Sequence, residues 1–412
     1  MTNPSRPASV AVRDSPFRRL LLSGQDDFWR LWFVGLVIYV VRWLETIVVG
    51  IVVYQRTGSP LLVAVMTMLR LLPMGLFGAF TGAFAERIER RTALIFVIVL
   101  MGATSLTLAL LAHAGQLEVW QLALASFVNG IGWTADNPVR RVMIGEVVGT
   151  GQMGAAMSID VGTNNASRMV GPTLGGLLLL TAGIDGAFAL SVILYTAALL
   201  MALRVRYRNA RAAAASAGVL SQMLAGFAVV LADRRLRGTL IVTIIFNIFG
   251  WPFTSMVPVI GHDQLGLDPG GVGLLASMDG IGAFCGAILA ALLLRPAWYW
   301  RTYIGGVTVY LVMLTVFGLV PSPLIAGSAL LCTGLGGAGF SIMQATLVYL
   351  AAPPDMRSRL LGVLSLCIGV GPVGFIGLGL LADAIGANWA TGASGVTGLA
   401  VLAVTRPWWR AI

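Results

Sequence analysis

Five ionisable side chains stand in the middle of long apolar runs: Arg42, Glu45, Arg70, Arg168 and Asp279. Charge in such surroundings is expensive, since one Arg or Asp at a bilayer centre costs about 2.5–3.5 kcal/mol on insertion scales. It persists where the side chain faces other protein or a watery cavity. Arg42 and Glu45 are three apart, so a helix puts them on one face and lets them pair. Asp160, Asn164 and Arg168 follow at intervals of four and line one face of a second helix. Brought together, these groups set three arginines beside two or three carboxylates. Arginines can hold a polar or anionic molecule bidentately, and a carboxylate can carry a proton. Two readings stand: satisfied ion pairs that pin helices together, or a substrate and proton site. On the second, the site comprises Arg42, Glu45, Arg70, Asp160, Asn164, Arg168, Asn247 and Asp279. Asn247, like Gln344, also suits a hydrogen bond between helices.

Other chemistries are excluded by what the chain lacks. All 27 basic residues are Arg, which removes a P-loop lysine and a Lys Schiff base. Cys285, Cys332 and Cys367 are widely spaced in apolar runs, without disulfide or zinc spacing. His113 and His262 lie far apart and form no metal-ligand cluster. No nucleophile–base pair accompanies the apolar-run charges, so an enzyme is not expected. Neither a metal nor an organic cofactor is called for; a proton gradient is the expected driving force. The net charge of +10 finds its place in membrane topology rather than in nucleic-acid binding.

The elements that must position these charges are transmembrane helices. Only 11% of the 412 residues are charged and the mean hydropathy is +0.88. Apolar runs of about 20 residues recur, the length that spans a bilayer. Twelve spans are predicted, at 28–54, 60–83, 92–113, 118–139, 154–181, 187–204, 238–260, 271–294, 302–320, 324–349, 360–382 and 388–405. The fold class is therefore an all-α polytopic membrane protein. Residues 1–24 have no apolar core, so no cleavable signal peptide is expected. With both termini in the cytoplasm, Arg56 is the lone arginine of the outer loops, which carry Glu118, Asp185, Asp263, Asp268 and Asp383 instead. That is the positive-inside pattern.

A polar break at 205–237 includes an amphipathic stretch from Leu220 to Asp233 and divides the chain into residues 1–204 and 238–412. Gly171-Pro172 recurs as Gly371-Pro372, 200 positions later, so the halves repeat as two parallel six-helix bundles. Pro172 is expected to bend its helix, and the nearby Gly175 and Gly176 to let another helix approach.

The loop after the second span reads G-A-F-A-E-R-I-E-R-R from Gly82 to Arg91. It resembles the signature of the major facilitator superfamily. Gly82, Arg87, Arg90 and Arg91 match; Glu86 stands for the usual Asp, and Glu89 departs from a common Gly. Gly171-Pro172-Thr-Leu-Gly175-Gly176 looks like the core of that superfamily's antiporter motif, with Ser158 and Ser167 where further glycines usually stand. Tyr54 to Pro60, Leu72-Pro73 and Asp136-Asn137-Pro138 are similar to the branch containing the enterobactin exporter and macrolide efflux proteins. The resemblance covers essentially the whole chain. It implies the twelve-helix fold, alternating access and a bacterial inner-membrane location. It also implies a gating role for Gly82, Glu86, Arg87, Arg90 and Arg91 with Asp136, Arg140 and Arg141, Glu86 pairing with Arg140 or Arg141. In that fold spans three, six, nine and twelve lie outermost, and here all four lack Asp, Glu and Arg.

The expected function is proton-coupled efflux of a small polar, anionic or drug-like molecule by a monomer. Glu45 is the first candidate for the proton carrier and Asp279 the second; Trp43 and Trp251 can stack on cargo. Uptake by symport and a lysophospholipid-type lipid transporter are the alternatives. Each proton crossing 100 mV supplies about 2.3 kcal/mol.

Overall fold

The computed structural model describes residues 26–85, 89–149, 152–207, 229–353, 356–410, and all regular structure there is helical. In chain order, α1 is Asp26–Thr57, α2 Pro60–Ala85, α3 Arg90–His113 and α4 Val119–Val148. Met153–Arg204 is broken at Gly183, whose φ of 72° is left-handed and favours glycine. We call 153–182 α5 and 184–204 α6. Then follow α7 Arg234–Ile245, a π turn Phe246–Gly250, a 3-10 turn Trp251–Ser255 and α8 Val257–Asp263. The rest are α9 Pro269–Leu293, α10 Tyr299–Leu319, α11 Pro323–Ala351, α12 Arg357–Ile368, α13 Gly371–Ile385, α14 Ala387–Val404 and the single turn α15 Arg406–Trp409. The amphipathic stretch expected from Leu220 lies mostly outside the described residues, as do Glu86 and Arg87. Asp233 caps α7 by accepting from the backbone N–H groups of Arg235 and Leu236.

Eight of the described stretches are long and apolar enough to cross a bilayer. Others fall short for local reasons: the apolar run of α4 is interrupted by Gln121, Asn129, Thr134 and Asp136, and α14 is short and rich in Gly, Ala and Thr. Phe96, Leu110, Leu292 and Leu324 are more than half exposed, which suits an outer face turned to lipid.

Glycine decides how closely the helices pack. On α5, a Cβ at Gly171 would lie 2.6 Å from Trp43 Cβ, and one at Gly175 would lie 2.8 Å from the Leu44 carbonyl, both on α1. A Cβ at Gly176 would come 2.9 Å from Gly273 Cα on α9. The motif thus seats α5 against two helices at once. The repeat at residue 371 departs from the expected likeness. Pro172 sits inside a continuous helix, whereas Gly371-Pro372 opens α13 after the break at Gly369. Pro372 occupies a first turn, where its missing N–H has no helical acceptor to serve.

The apolar core has a telling shape. One cluster joins both parts of the chain, from Leu44, Val63 and Phe188 to Val257, Leu275 and Leu378. At the arginine-rich end the core divides. One cluster there draws only on residues 28–205, and another only on residues 230–367. The two parts of the chain therefore share a core toward the end that carries Asp263 and Asp383, and pack separately at the other.

Candidate functional site

A cavity of about 80 Å³ lies where α1, α2 and α5 face α8, α9 and the broken 251–255 turn. Arg42, Arg70, Arg168 and Asp279 line it, with Trp43, Trp251 and Phe253. It has room for only a few waters, well below the roughly 300 Å³ of a small ligand site. The cavity must widen to take a cargo.

Two charged clusters flank its wall. In the first, Glu45 accepts from Ser105 Oγ at 2.6 Å and from Asn129 Nδ2 at 2.9 Å, and its carboxylate is 3.7 Å from the Arg70 guanidinium. Arg70 also donates to the Arg42 carbonyl (2.7 Å) and to Thr46 Oγ1 (2.5 Å). Glu45 is 1% exposed, so it stands behind Arg70 rather than on the cavity surface. Arg42 does not pair with Glu45, contrary to the expectation from their spacing. Its guanidinium stacks 3.5 Å from the Trp133 ring centroid and lies 5.0 Å from that of Trp43. Sharing a helix face permitted the pair, but the closer partners on α2, α3 and α4 took the carboxylate.

The second cluster is an ion pair across the cavity. Arg168 on α5 bonds Asp279 on α9 through Nη2 and Oδ2. The other carboxylate oxygen, Oδ1, is buried without a partner. Just beyond, Thr173 and Ser277 hydroxyls meet at 2.7 Å. Both contacts join the earlier to the later part of the chain.

Asp160 does not line this cavity, although the sequence grouped it with Arg168. It lies in a buried network toward the arginine-rich end, accepting from Arg140 Nη1 at 2.5 Å and Arg141 Nε at 2.9 Å. Arg140, fully buried, also bonds Asp136 at 3.2 Å and lies over the Tyr39 ring. The interval of four puts Asp160 and Arg168 on one face, yet two turns of helix carry one away from the cavity that the other lines. Asn164, between them, is absent from the cavity lining, and its Oδ1 is buried without a partner. Asn247 is likewise displaced: in the π turn it donates to the Thr243 carbonyl of its own helix at 2.8 Å. Gln344 donates across to Thr243 Oγ1. Of the gating residues, Gly82 stays within α2, Arg90 pairs with Glu146 at 2.5 Å, and Arg91 donates to the Leu203 carbonyl. The Tyr207 hydroxyl also donates to Glu146; burial first, then that carboxylate, raises its phenol above the usual range.

At the acidic end, latches close the gap. Tyr54 donates to Asp263. Asp383 accepts from Ser59 Oγ at 3.2 Å and from the Leu61 backbone at 3.0 Å, so a carboxylate on α13 caps the first turn of α2. Sequence reasoning missed Ser105, Asn129, Trp133 and Ser59, and placed Asp383 in an outer loop without a partner. Asn129 and Ser105 carried a signal as polar residues within apolar runs; the partners of Asp383 carried none.

Helices built around a charged cavity, with a shared core at one end and divided cores at the other, suit a membrane transporter. The sequence comparisons agree. The family model for transmembrane secretion effectors matches residues 16–408, and the chain belongs to this family of the major facilitator superfamily. It is a transport protein and not an enzyme. It is similar to macrolide efflux protein A of Streptococcus pyogenes, 23% identical over 81% of this chain and 84% of that protein. It is also similar to the multidrug efflux pump Tap of Mycolicibacterium fortuitum, 26% identical over 81% and 84%. Among solved structures, the nucleoside transporter NupG matches with a TM-score of 0.78 at 10% identity, over 93% of this chain and 100% of that one. A bacterial homolog of the human lysosomal transporter Spinster matches with 0.74 at 15%, over 94% and 98%. These two likenesses concern the fold.

Proposed function

We propose that this chain is a bacterial inner-membrane exporter that moves a small polar, anionic or drug-like molecule outward against protons. It works as a monomer of twelve crossings, six in residues 1–204 and six in 238–412, with 205–237 as linker and both termini in the cytoplasm. The relatives named for efflux support the direction. The observation that carries the mechanism is the Arg168–Asp279 pair, which bridges the two parts of the chain on the wall of the central cavity. The present state is closed outward by the latches at Tyr54–Asp263 and Ser59–Asp383, and its divided cores leave the cytoplasmic end free to part. Alternating access then means opening the latches and bringing the divided ends together. Asp279 is the better proton carrier than Glu45, because it meets the cavity directly and a proton on it cuts the bridge.

The test uses inside-out vesicles with an imposed pH gradient and a fluorescent pH reporter. Wild-type protein releases protons when cargo is added, and Asp279→Asn does not. Wild-type coupling in Asp279→Asn would refute the assignment. Uptake by symport is the second reading, favoured by one feature of the same pair. An anion that takes Arg168 leaves Asp279 without its partner and ready for a proton, so anion and proton would load together. Counterflow under gradients of either sign separates the two.

A further inference from the structure

We propose that Arg42 anchors an oxyanion subsite, and that the cargo is an amphipathic organic anion: a carboxylate or phosphoryl group on an apolar body. The proposal rests on the transport reading in that it takes the central cavity as the cargo site.

Three arginines line the cavity against one carboxylate, Asp279. Asp279 is held by Arg168, and Glu45, behind the wall, is engaged by Arg70, Ser105 and Asn129. Arg42 has no carboxylate partner among the described residues; its neighbours are the rings of Trp133 and Trp43. The ends of its helix are out of its reach, so only the cavity can wet it. It stands 16 residues after Asp26 and 15 before Thr57, about 23 Å from each at 1.5 Å per residue. Ring faces return only part of the hydration a guanidinium gives up.

A second observation points the same way. The indole N–H of Trp43, on the cavity wall, is a buried donor without an acceptor, and so is that of Trp133 in the adjoining pocket that Arg42 shares with Glu45. Buried donors are rarely left unpaired. A stacked guanidinium keeps its in-plane N–H groups free for a bidentate acceptor. The Arg42 cation and the orphan Trp43 donor, neighbours on one cavity wall, suit an oxyanion. Ile47, Val63, Trp251, Phe253, Val257 and Pro258 line the remaining wall and suit an apolar body. A cationic cargo would find one carboxylate, already bonded to Arg168 through Oδ2, and three positive charges.

The probes are naphthoate, its neutral methyl ester and naphthylmethylammonium, titrated calorimetrically into the full chain in nanodiscs. Naphthoate is expected to bind about tenfold or more tightly than either analogue, the scale of one charge-assisted hydrogen bond. Arg42→Gln should bring naphthoate down to the level of the ester while ester binding holds, and Arg42→Lys should keep part of the preference. Trp43→Phe, which keeps an aromatic ring and removes the N–H, should weaken naphthoate alone and serves if Arg42→Gln does not fold. Equal binding of acid and ester to wild type, no naphthoate binding at millimolar concentration, or full preference in both Arg42→Gln and Trp43→Phe would overturn the proposal. The vesicle assay judges transport separately. Proton exchange driven only by the ammonium or ester would leave an exporter without this subsite, and naphthoate preference without proton exchange would leave the subsite without that coupling.

Discussion

Removing the Asp383 carboxylate should open the acidic end of the molecule. Asp383 accepts from Ser59 Oγ and from the Leu61 backbone N–H, and it faces the first turn of α2 from the far part of the chain. Hydrogen bonds to a charged group contribute about 1.5–3 kcal/mol, and an acidic group at a helix N-terminus about 0.3–1 kcal/mol. The site is exposed, so water and salt compete and the lower ends apply. Asp383→Ala should therefore cost the closed arrangement roughly 1.5–2 kcal/mol, a shift of about 10- to 30-fold toward states open at that end. Asp383→Asn keeps an acceptor and should shift about half as much in free energy. The assay is pulsed electron-spin distance measurement in nanodiscs. Labels go on cysteines introduced at Gln116 and Ala384, with Cys285, Cys332 and Cys367 replaced. Asp383→Ala should move the distribution to longer separations, and adding Asp263→Ala, which removes the Tyr54 latch, should move it further. An unchanged distribution in the double variant would mean that the latches do not hold this end shut.

Three further outcomes follow from the packing. Gly35→Ala puts a Cβ 2.6 Å from Arg140 Cζ, forcing that arginine off Asp136 and Asp160. Breaking a buried pair costs about 3–5 kcal/mol, so the melting temperature should fall by several degrees; an unchanged melt would sink this account. Gly176→Val should block the contact with Gly273 on α9, leaving the protein inserted but unable to close its acidic end, and transport at wild-type rate would contradict it. Glu45→Gln and Arg70→Gln should each destabilise by about 3 kcal/mol, while the double substitution costs less than their sum because no charge is left stranded. Strict additivity in thermal melts would show that the pair is not coupled.

Much of this molecule was legible as sequence. Membrane insertion, helical class and family follow from apolar runs of bilayer length, from the Gly82–Arg91 loop and from the skewed placement of arginine. These are one-dimensional quantities, set by residue type and spacing. The sequence also marked the costly charges, because lipid penalises ionised groups whatever the fold. It could not say how those charges would be shared. Spacing paired Arg42 with Glu45 and aligned Asp160 with Arg168, but a carboxylate goes to the donors that packing brings nearest. Packing gave Glu45 to Arg70, Ser105 and Asn129, gave Asp160 to Arg140 and Arg141, and left Arg42 against two indole rings. The Asp383 latch and the Arg168–Asp279 bridge join positions 324 and 111 residues apart. Only the tertiary structure decided them, because contact energies act through space and residue spacing along one helix fixes only its own faces.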